Sequence, residues 1–228
     1  MRERISIGRK SRKRLLDNPD VQHFSKNDLD VYIVKDFLTE YEMNYLKGMI
    51  KSRMTRSGTL GKATQEYSDF RTSSTSYLGA VNRVVHELDM RIADLLGIDP
   101  GLGESMQGQH YLVGQAFRPH CDFFHEHLEH WKHAKRTGGQ RTWTAMLYLD
   151  DGMEGGETRF VNAGFKIKPQ AGMLVIWNNL TDKGSYNWQT LHESIPVAEG
   201  EKTILTKWYR ERAFREDALR RPRTAIAA

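Results

Sequence analysis

The sequence has almost no cysteine: Cys121 is the only one in 228 residues, so the chain cannot form an internal disulfide. It also lacks any run of 18 apolar residues, and residues 1–20 are basic without the apolar core of a secretory signal. These absences exclude a scaffold held by internal disulfides. They lead us to expect a soluble, cytoplasmic protein with no membrane partner.

Several motif classes are missing as well. The sequence contains no internal repeat and no low-complexity tract. Gly155-Gly156 is not followed by a Walker lysine or a GxGxxG pattern, so a turn between strands explains it better than a phosphate-binding loop. The HExxH pattern of zinc proteases also fails, because Glu129 stands where a second histidine should follow His125-Glu126.

The composition is that of a globular protein. A hydrophobic fraction of 39% and a charged fraction of 28% suit one domain of this length. The net charge of +5 invites a nucleic-acid partner, but much of the basic excess lies at the two ends, where solvated arms explain it more simply. We therefore interpret residues 1–30 as a loosely packed basic arm and residues 213–228 as a charged tail.

Between the basic arm and residue 105 the pattern is mixed. VYIVKDF, at residues 31–37, predicts a strand. A capping box that begins at Thr39, followed by apolar residues at helical spacing, predicts a helix over about residues 39–52. Apolar residues on one face of residues 81–96 predict a second helix. The stretch 53–75 is rich in Ser, Thr, Gly and charge, and we expect a long loop there.

From residue 107 onward the sequence changes to short alternating segments separated by turn residues. These segments are QHYLVG, TAMLYLD, ETRFV, FKIKP, MLVIWN, LHESIPV and KTILTKWY. Seven or eight short strands within about 100 residues indicate a β-sandwich or a jelly roll.

Three residues in this region have the types and spacing of a metal site. In an extended segment, His120 and Asp122 point to the same face while Cys121 points away. His192 follows several predicted strands later, and in a jelly roll it can face the first pair across the barrel mouth. Two histidines and one carboxylate form the facial triad of non-haem Fe(II) oxygenases, which leaves three metal positions open.

A lysine near the end of the chain suggests an anion pocket beside this metal. Lys202, Thr206 and Trp208 lie at even spacing in GEKTILTKW, so alternation places them on one face of a strand. A buried cation, a hydroxyl and an aromatic wall together form a pocket suited to a carboxylate.

The sequence resembles the prolyl 4-hydroxylase family of 2-oxoglutarate oxygenases over about residues 31–212. The matching blocks are YLVGQAFRPHCDFF, RTWTAMLYLDDGMEGGETRF, KPQAGMLVIWNN and LHESIPVAEGEKTILTKWYRER, in the family's order and spacing. The resemblance implies the following roles: iron ligands His120, Asp122 and His192; a 2-oxoglutarate clamp at Lys202; hydrogen-bonding pocket lining at Tyr111 and Thr206; and peptide-facing residues Arg141 and Trp208.

Two features depart from the family pattern. Phe117 stands where many members have tyrosine. The second is a His-rich insert, residues 125–133, which we interpret as a lid or capping helix over the active site, with a weak surface metal site as the alternative.

The expected fold is therefore α+β: a double-stranded β-helix (jelly-roll) core with N-terminal helices packed on one sheet. The oxygenase domain is expected over residues 31–212, with its catalytic jelly roll at about 105–212. We expect an enzyme that acts on proline in a peptide or protein. It would use Fe(II), 2-oxoglutarate and dioxygen, with ascorbate as the reductant. The alternatives are hydroxylation of a free amino acid or another protein side chain, oxidative demethylation of nucleic acid, and a non-catalytic jelly-roll binding module.

Overall fold

The computed structural model describes residues 1–56, 72–79 and 82–215. This part of the chain contains the helices α1 (Arg2–Asp17), α2 (Glu40–Ser52), α3 (Arg83–Leu96) and α4 (His130–Arg136). Its strands are β1 (Gln22–Lys26), β2 (Leu29–Val34), β3 (Thr55–Arg56), β4 (Ser74–Leu78), β5 (Met106–Tyr111), β6 (Phe117–His120), β7 (Arg141–Tyr148), β8 (Glu154–Gly155), β9 (Thr158–Phe160), β10 (Phe165–Ile167), β11 (Leu174–Asn178), β12 (His192–Ser194), β13 (Val197–Glu199) and β14 (Lys202–Arg210).

The strands form two main antiparallel sheets. The larger has the order β1-β2-β11-β7-β14-β5-β4-β3, and the smaller has the order β10-β9-β12-β6. Strands β8 and β13 pair separately. One apolar core lies between the two sheets, where Tyr148 and Ile204 of the larger sheet meet Phe160 of the smaller. A second core lies between the larger sheet and the helices. This arrangement confirms the predicted α+β jelly roll.

Sequence signals mark the start of helix α2 and both ends of helix α3. Thr39 caps α2 through a complete capping box, which confirms the predicted helix. Asn82 caps α3 by accepting two backbone N–H bonds, and Gly97 ends that helix with φ 62°, a conformation that favours glycine. Among the described residues, no helix combines the length and apolar character needed to cross a membrane.

Helix α2 packs closely on the larger sheet because β5 carries a glycine at the contact. A Cβ atom built on Gly108 would lie 2.3 Å from Cγ1 of Ile50, far inside van der Waals contact. Ile50 is fully buried there. The side chains on either side of Gly108 in β5 point to the opposite face, toward the smaller sheet.

The predicted loose packing of residues 1–30 is wrong. Residues 2–17 form helix α1, and Leu15 is fully buried in the core between the helices and the larger sheet. Gly8 and Ser11 are buried on the same face. Strand β1 then pairs with β2 at the edge of the larger sheet. The boundary at residue 31 between arm and oxygenase domain stays a prediction.

Other boundaries differ from the sequence prediction for local reasons. Strand β2 ends at Val34, short of the predicted Phe37, because Asp36 has φ 52° and leaves the extended conformation. The predicted strand LHESIPV is divided into β12 and β13 at Pro196, which cannot donate a backbone hydrogen bond. Most of the predicted loop 53–75 and most of the tail 213–228 lie outside the described residues.

Candidate active site

A pocket opens between the two sheets. Side chains from both sheets line it, including His120 of β6, His192 and Ser194 of β12, and Lys202 and Thr206 of β14. The larger sheet therefore supplies one wall and the smaller sheet the other.

Strands β6 and β12 bring the three predicted metal ligands together. These strands are antiparallel neighbours, and His192 lies directly opposite His120. Asp122 follows β6 by two residues, and the ligand atoms of the three side chains all lie within 4.8 Å of one another. Nε2 of His120 is 3.9 Å from one carboxylate oxygen of Asp122, and Nε2 of His192 is 4.0 Å from the other. This spacing leaves a divalent metal ion within reach of all three.

Backbone carbonyls determine which nitrogen each histidine offers. Nδ1 of His120 lies 2.9 Å from the carbonyl oxygen of Arg118, and Nδ1 of His192 lies 2.8 Å from that of Thr190. Because a carbonyl oxygen only accepts, both Nδ1 atoms carry the proton. Both Nε2 lone pairs therefore point to the same space as the Asp122 carboxylate. Metal-binding histidines are commonly oriented in this way, by a hydrogen bond from the other ring nitrogen to a backbone carbonyl.

The Asp122 carboxylate is buried and oriented by a chain of hydrogen bonds. Thr144 donates its hydroxyl proton to Oδ2 of Asp122 at 2.7 Å, and Asn179 donates to the Thr144 oxygen at 2.9 Å. The indole N–H of Trp177 donates in turn to Asn179. Burial alone would raise the pKa of Asp122, but the neighbouring charges of the two triad histidines and Arg141 and the Thr144 bond bring that pKa below its ordinary value.

Lys202 also lines the pocket and is fully buried. Its ammonium donates to the Ser194 hydroxyl at 2.8 Å and lies 5.1 Å from the Tyr111 ring and 5.6 Å from the Tyr148 ring. Desolvation lowers the pKa of Lys202 to about 7 despite the opposing charges of Asp150 and Glu157. A buried ammonium with two aromatic neighbours and one hydroxyl partner is suited to an anion in the pocket.

Tyr111 and Thr206, both predicted to line the pocket, do so and are joined by a third residue. Gln109 accepts the Tyr111 hydroxyl proton at 2.6 Å and donates to the Thr206 oxygen at 3.2 Å. All three side chains are at least 95% buried. The wall opposite the triad is thus polar but internally bonded.

The two residues predicted to face a peptide, Arg141 and Trp208, lie together. The Arg141 guanidinium carbon is 3.9 Å from the centroid of the Trp208 ring, which lines the pocket. Glu104 holds Arg141 through two bonds of 2.6 and 2.8 Å, and it also pairs with Arg210. The contact of either residue with a substrate stays a prediction.

The His-rich insert overlaps the first part of helix α4, and within the described residues it forms no cluster of three or more metal ligands. Within residues 1–56, 72–79 and 82–215, the triad is the one group of three or more His, Cys, Asp or Glu side chains close enough to share a metal ion. The surface metal site in the insert and its role as a lid both stay predictions. The ring of His125 packs near Trp188, at a centroid distance of 5.5 Å.

Two other predicted features have clear positions. Phe117 stacks on His120 with ring centroids 3.6 Å apart, so its ring forms part of the pocket wall at the metal site. Cys121 is partly buried. Burial raises the pKa of its thiol to about 12, so the thiol stays protonated and is a poor nucleophile at neutral pH.

Sequence reasoning missed several residues of the site, among them Ser194, Gln109, Thr144 and Asn179. Ser194 and Gln109 were detectable, because each lies two residues from a predicted site residue on the same strand and therefore on the same face. Thr144 and Asn179 carried no such signal. Their role depends on the pairing of β7 with β11, which no local pattern encodes.

The comparisons with known proteins agree with this geometry. Residues 106–210 match the family model of the 2OG-Fe(II) oxygenase superfamily. The chain is 30% identical to the probable prolyl 4-hydroxylase 10 of Arabidopsis thaliana over 205 residues, which cover 80% of this chain and 69% of the relative. It is 33% identical to the prolyl 4-hydroxylase subunit alpha-1 of Bos taurus over 193 residues, covering 83% of this chain but 35% of that subunit.

Among solved structures, a viral collagen prolyl hydroxylase from Paramecium Bursaria Chlorella virus-1, determined as a 2OG complex, has the same fold. The TM-score is 0.62 at 24% identity, and the match covers 79% of this chain and 95% of the viral one. On these findings, the chain belongs to the prolyl 4-hydroxylase family of Fe(II)- and 2-oxoglutarate-dependent dioxygenases.

Proposed function

We propose that this chain is a prolyl 4-hydroxylase that acts on proline within a peptide or protein. The observation that carries the proposal is the presence, in one pocket between the sheets, of the triad of His120, Asp122 and His192 and the buried cation Lys202. The names of the relatives supply the class of substrate.

The triad fits Fe(II). His120 and His192 each offer a neutral imidazole nitrogen. Asp122 offers a carboxylate whose pKa is below its ordinary value, and Thr144 orients that carboxylate. Two imidazoles and one carboxylate on one side of a metal are the ligand set of non-haem iron oxygenases. When bound with 2-oxoglutarate and dioxygen, the iron supplies oxidation of a C–H bond: one oxygen atom enters the substrate, and the other enters succinate as carbon dioxide is released.

The other pocket residues bind 2-oxoglutarate and exclude water from the reacting groups. Lys202 pairs with the distal carboxylate of 2-oxoglutarate, and burial makes that ion pair stronger than it would be in water. Ser194 fixes the ammonium from the smaller sheet. Aromatic and apolar walls at Tyr111, Phe117 and Trp208 exclude water around the reacting groups.

Arg141 and Trp208 form the proposed contact with the peptide. Trp208 lines the pocket, the Arg141 guanidinium stacks on the Trp208 ring, and Glu104 holds that guanidinium in place. An extended proline-containing segment suits an aromatic wall, because a polyproline II backbone loses little conformational entropy on docking.

We also propose the domain boundaries, the reductant and the cellular location of this chain. Residues 31–212 form the oxygenase domain, with the catalytic jelly roll at about 105–212 and the flanking segments 1–30 and 213–228 outside the catalytic unit. Ascorbate serves as the reductant that keeps the iron in the Fe(II) state. A cytoplasmic location agrees with the single cysteine, Cys121.

The test is a product assay with the full chain, Fe(II), ascorbate and 2-oxoglutarate. Proline-rich peptides, free L-proline, other free amino acids and single-stranded DNA are compared as substrates, with succinate and the substrate mass as readouts. We expect peptide-stimulated succinate and the gain of one oxygen atom on a proline residue. An oxygen gained on another target would contradict the proline assignment, and the absence of any product would contradict the enzyme assignment in this chain.

A further inference from the structure

Arg4, in the N-terminal helix α1, is bonded to two carboxylates from distant parts of the chain. Its Nη2 atom lies 2.7 Å from the carboxylate of Glu126 in the His-rich insert. Its Nε atom donates to the carboxylate of Glu211, which directly follows β14. The Arg4 side chain is only 10% exposed. A guanidinium can serve both carboxylates at once, because its N–H groups are arranged in a planar fork.

The first carboxylate belongs to a segment that is coupled to the ring of Phe123. The backbone N–H of Glu126 donates to the hydroxyl oxygen of Tyr186 at 2.9 Å. The Tyr186 ring stacks on the Phe123 ring, with centroids 4.6 Å apart and planes that differ by 2°. Phe123 is buried and directly follows the metal ligand Asp122 in the chain. Glu126 is therefore connected to the residue next to a ligand.

The second carboxylate belongs to a segment that is coupled to the backbone of Phe124. The backbone N–H of Glu211 donates to the carbonyl oxygen of Gln140 at 2.9 Å. The Gln140 side chain is fully buried, accepts the backbone N–H of Phe124 at 2.6 Å and donates to the Phe124 carbonyl oxygen at 2.8 Å. Glu211 is therefore connected to the second residue beyond Asp122.

We propose that Arg4 is a positioning residue for the metal ligand Asp122: from helix α1 it holds the two segments that fix the chain one and two residues beyond that ligand. A metal ligand keeps its geometry only when the groups around it are themselves held in place. This inference rests on the proposed function, since it takes the triad as the metal site. It also gives α1, which lies outside the proposed oxygenase domain, a part in forming that site.

Other ion pairs of α1 supply the comparison that the inference needs. Arg12 pairs with Asp30 of β2 at 3.0 Å, and Arg14 pairs with Asp94 of α3 at 2.8 Å. These pairs attach the helix to elements that carry no member of the triad. If Arg4 served only to attach α1, the loss of Arg4 and the loss of Arg12 would affect the metal site alike.

The test measures metal binding by the full chain without turnover, with Mn(II) and Co(II) as probes. Isothermal titration gives the Mn(II) dissociation constant, the visible absorption of the Co(II)-loaded protein reports the geometry of the ligands, and urea denaturation gives the stability. The variants are Arg4→Met, Glu126→Gln and their double variant. Arg12→Met is the matched control, because it removes an ion pair of the same helix.

We expect Arg4→Met to weaken Mn(II) binding about fivefold and to shift the Co(II) absorption, an effect of the size found for residues coupled through one hydrogen-bonded network. Glu126→Gln should cause part of this loss, about twofold to threefold. The double variant should lose no more than Arg4→Met alone, because Arg4→Met already removes the contact with Glu126. Arg12→Met should leave the Mn(II) affinity and the Co(II) absorption unchanged, whatever its effect on stability.

Two results would overturn the inference. One is an equal loss of Mn(II) affinity in Arg4→Met and Arg12→Met, which would mean that Arg4 only attaches the helix. The other is unchanged Mn(II) binding and Co(II) absorption in Glu126→Gln, because the proposal requires both carboxylates. Glu126 has a 37% exposed side chain, so this second result decides the question even if Arg4→Met does not fold. Failure of the unaltered protein to bind Mn(II) would instead overturn the triad as the metal site, and the proposed function with it.

Discussion

His192 lies directly opposite His120 in the antiparallel pair of β12 and β6, and the centroids of their imidazole rings are 4.3 Å apart. Strand pairing therefore determines the distance between two ligands that are far apart in sequence. A ladder of backbone hydrogen bonds is stiff, so the two nitrogens are held ready before any metal binds. Asp122, two residues beyond the end of β6, is the third ligand of the triad.

The first prediction concerns the metal ligands. Replacement of His120, Asp122 or His192 by alanine should abolish tight Fe(II) binding and all turnover, because each removes one of three ligands. Iron content after anaerobic loading and succinate formation are the measurements. His127→Ala is the control, since this exposed histidine of the insert should leave both unchanged. Full activity of His192→Ala would show that the third ligand is a different residue.

The second prediction concerns the bond from Thr144 to Asp122. Thr144→Val keeps the shape of the side chain but leaves one carboxylate oxygen of Asp122 without its donor. Loss of the hydrogen-bond partner of a metal ligand typically lowers metal affinity by about 10- to 100-fold, and we expect an effect of that size in an anaerobic Fe(II) titration. Thr142→Val is the matched control on the same strand, because Thr142 donates to the backbone of Tyr209. Equal Fe(II) affinities for the two variants would contradict the role of Thr144.

The site was more predictable from the sequence than the segments that surround it, because its main residues follow patterns within a single strand or helix. Alternation along one strand placed His120 with Asp122, and Lys202 with Thr206, from sequence alone. The capping box at Thr39 likewise marked its helix. The contacts of Thr144 were out of reach, because they require knowledge of which strands become neighbours.

The N-terminal helix was missed for a different reason. Its buried positions, Gly8, Ser11 and Leu15, have helical spacing, but only Leu15 is a large apolar residue, and basic side chains dominate the rest. The hydrophobic periodicity that identifies an amphipathic helix was therefore too weak to see. One deeply buried leucine and several ion pairs attach this helix to the rest of the protein. In one of these pairs, Arg4 of the helix contacts Glu211, which lies near the opposite end of the described chain.

The third prediction tests that attachment. Leu15 is fully buried, whereas its neighbour Leu16 is 45% exposed. Leu15→Ala should reduce the free energy of unfolding by about 2–5 kcal/mol, and Leu16→Ala should change it by less than about 0.5 kcal/mol. Urea denaturation of the full chain measures both. Equal, small effects would show that α1 does not contribute to the core and would restore the interpretation of a loose arm.

The last prediction concerns the charge of Lys202, which the pKa of about 7 makes dependent on pH. The ordinary value is 10.5, so between pH 7 and pH 10.5 the unfolded chain holds a proton on this lysine that the folded chain has lost. Unfolding then takes up a proton, and raising the pH across this range stabilises the folded protein without ligand. The groups that influence the ammonium are Ser194, the rings of Tyr111 and Tyr148, and the carboxylates of Asp150 and Glu157.

Binding of 2-oxoglutarate should show the opposite dependence, because its carboxylate requires the protonated ammonium. Above pH 7 the co-substrate binds with uptake of a proton, so its dissociation constant should rise by up to about tenfold per pH unit. Titration calorimetry in buffers of different ionisation enthalpy measures the proton uptake, and urea denaturation from pH 6.5 to pH 9.5 measures the stability. In Lys202→Met, the contribution of Lys202 should disappear from the pH dependence of the free energy of unfolding and from that of the 2-oxoglutarate dissociation constant. The affinity for 2-oxoglutarate should also fall at every pH. Slopes that persist unchanged in Lys202→Met would assign the titration to another group and would remove Lys202 from the proposed carboxylate site.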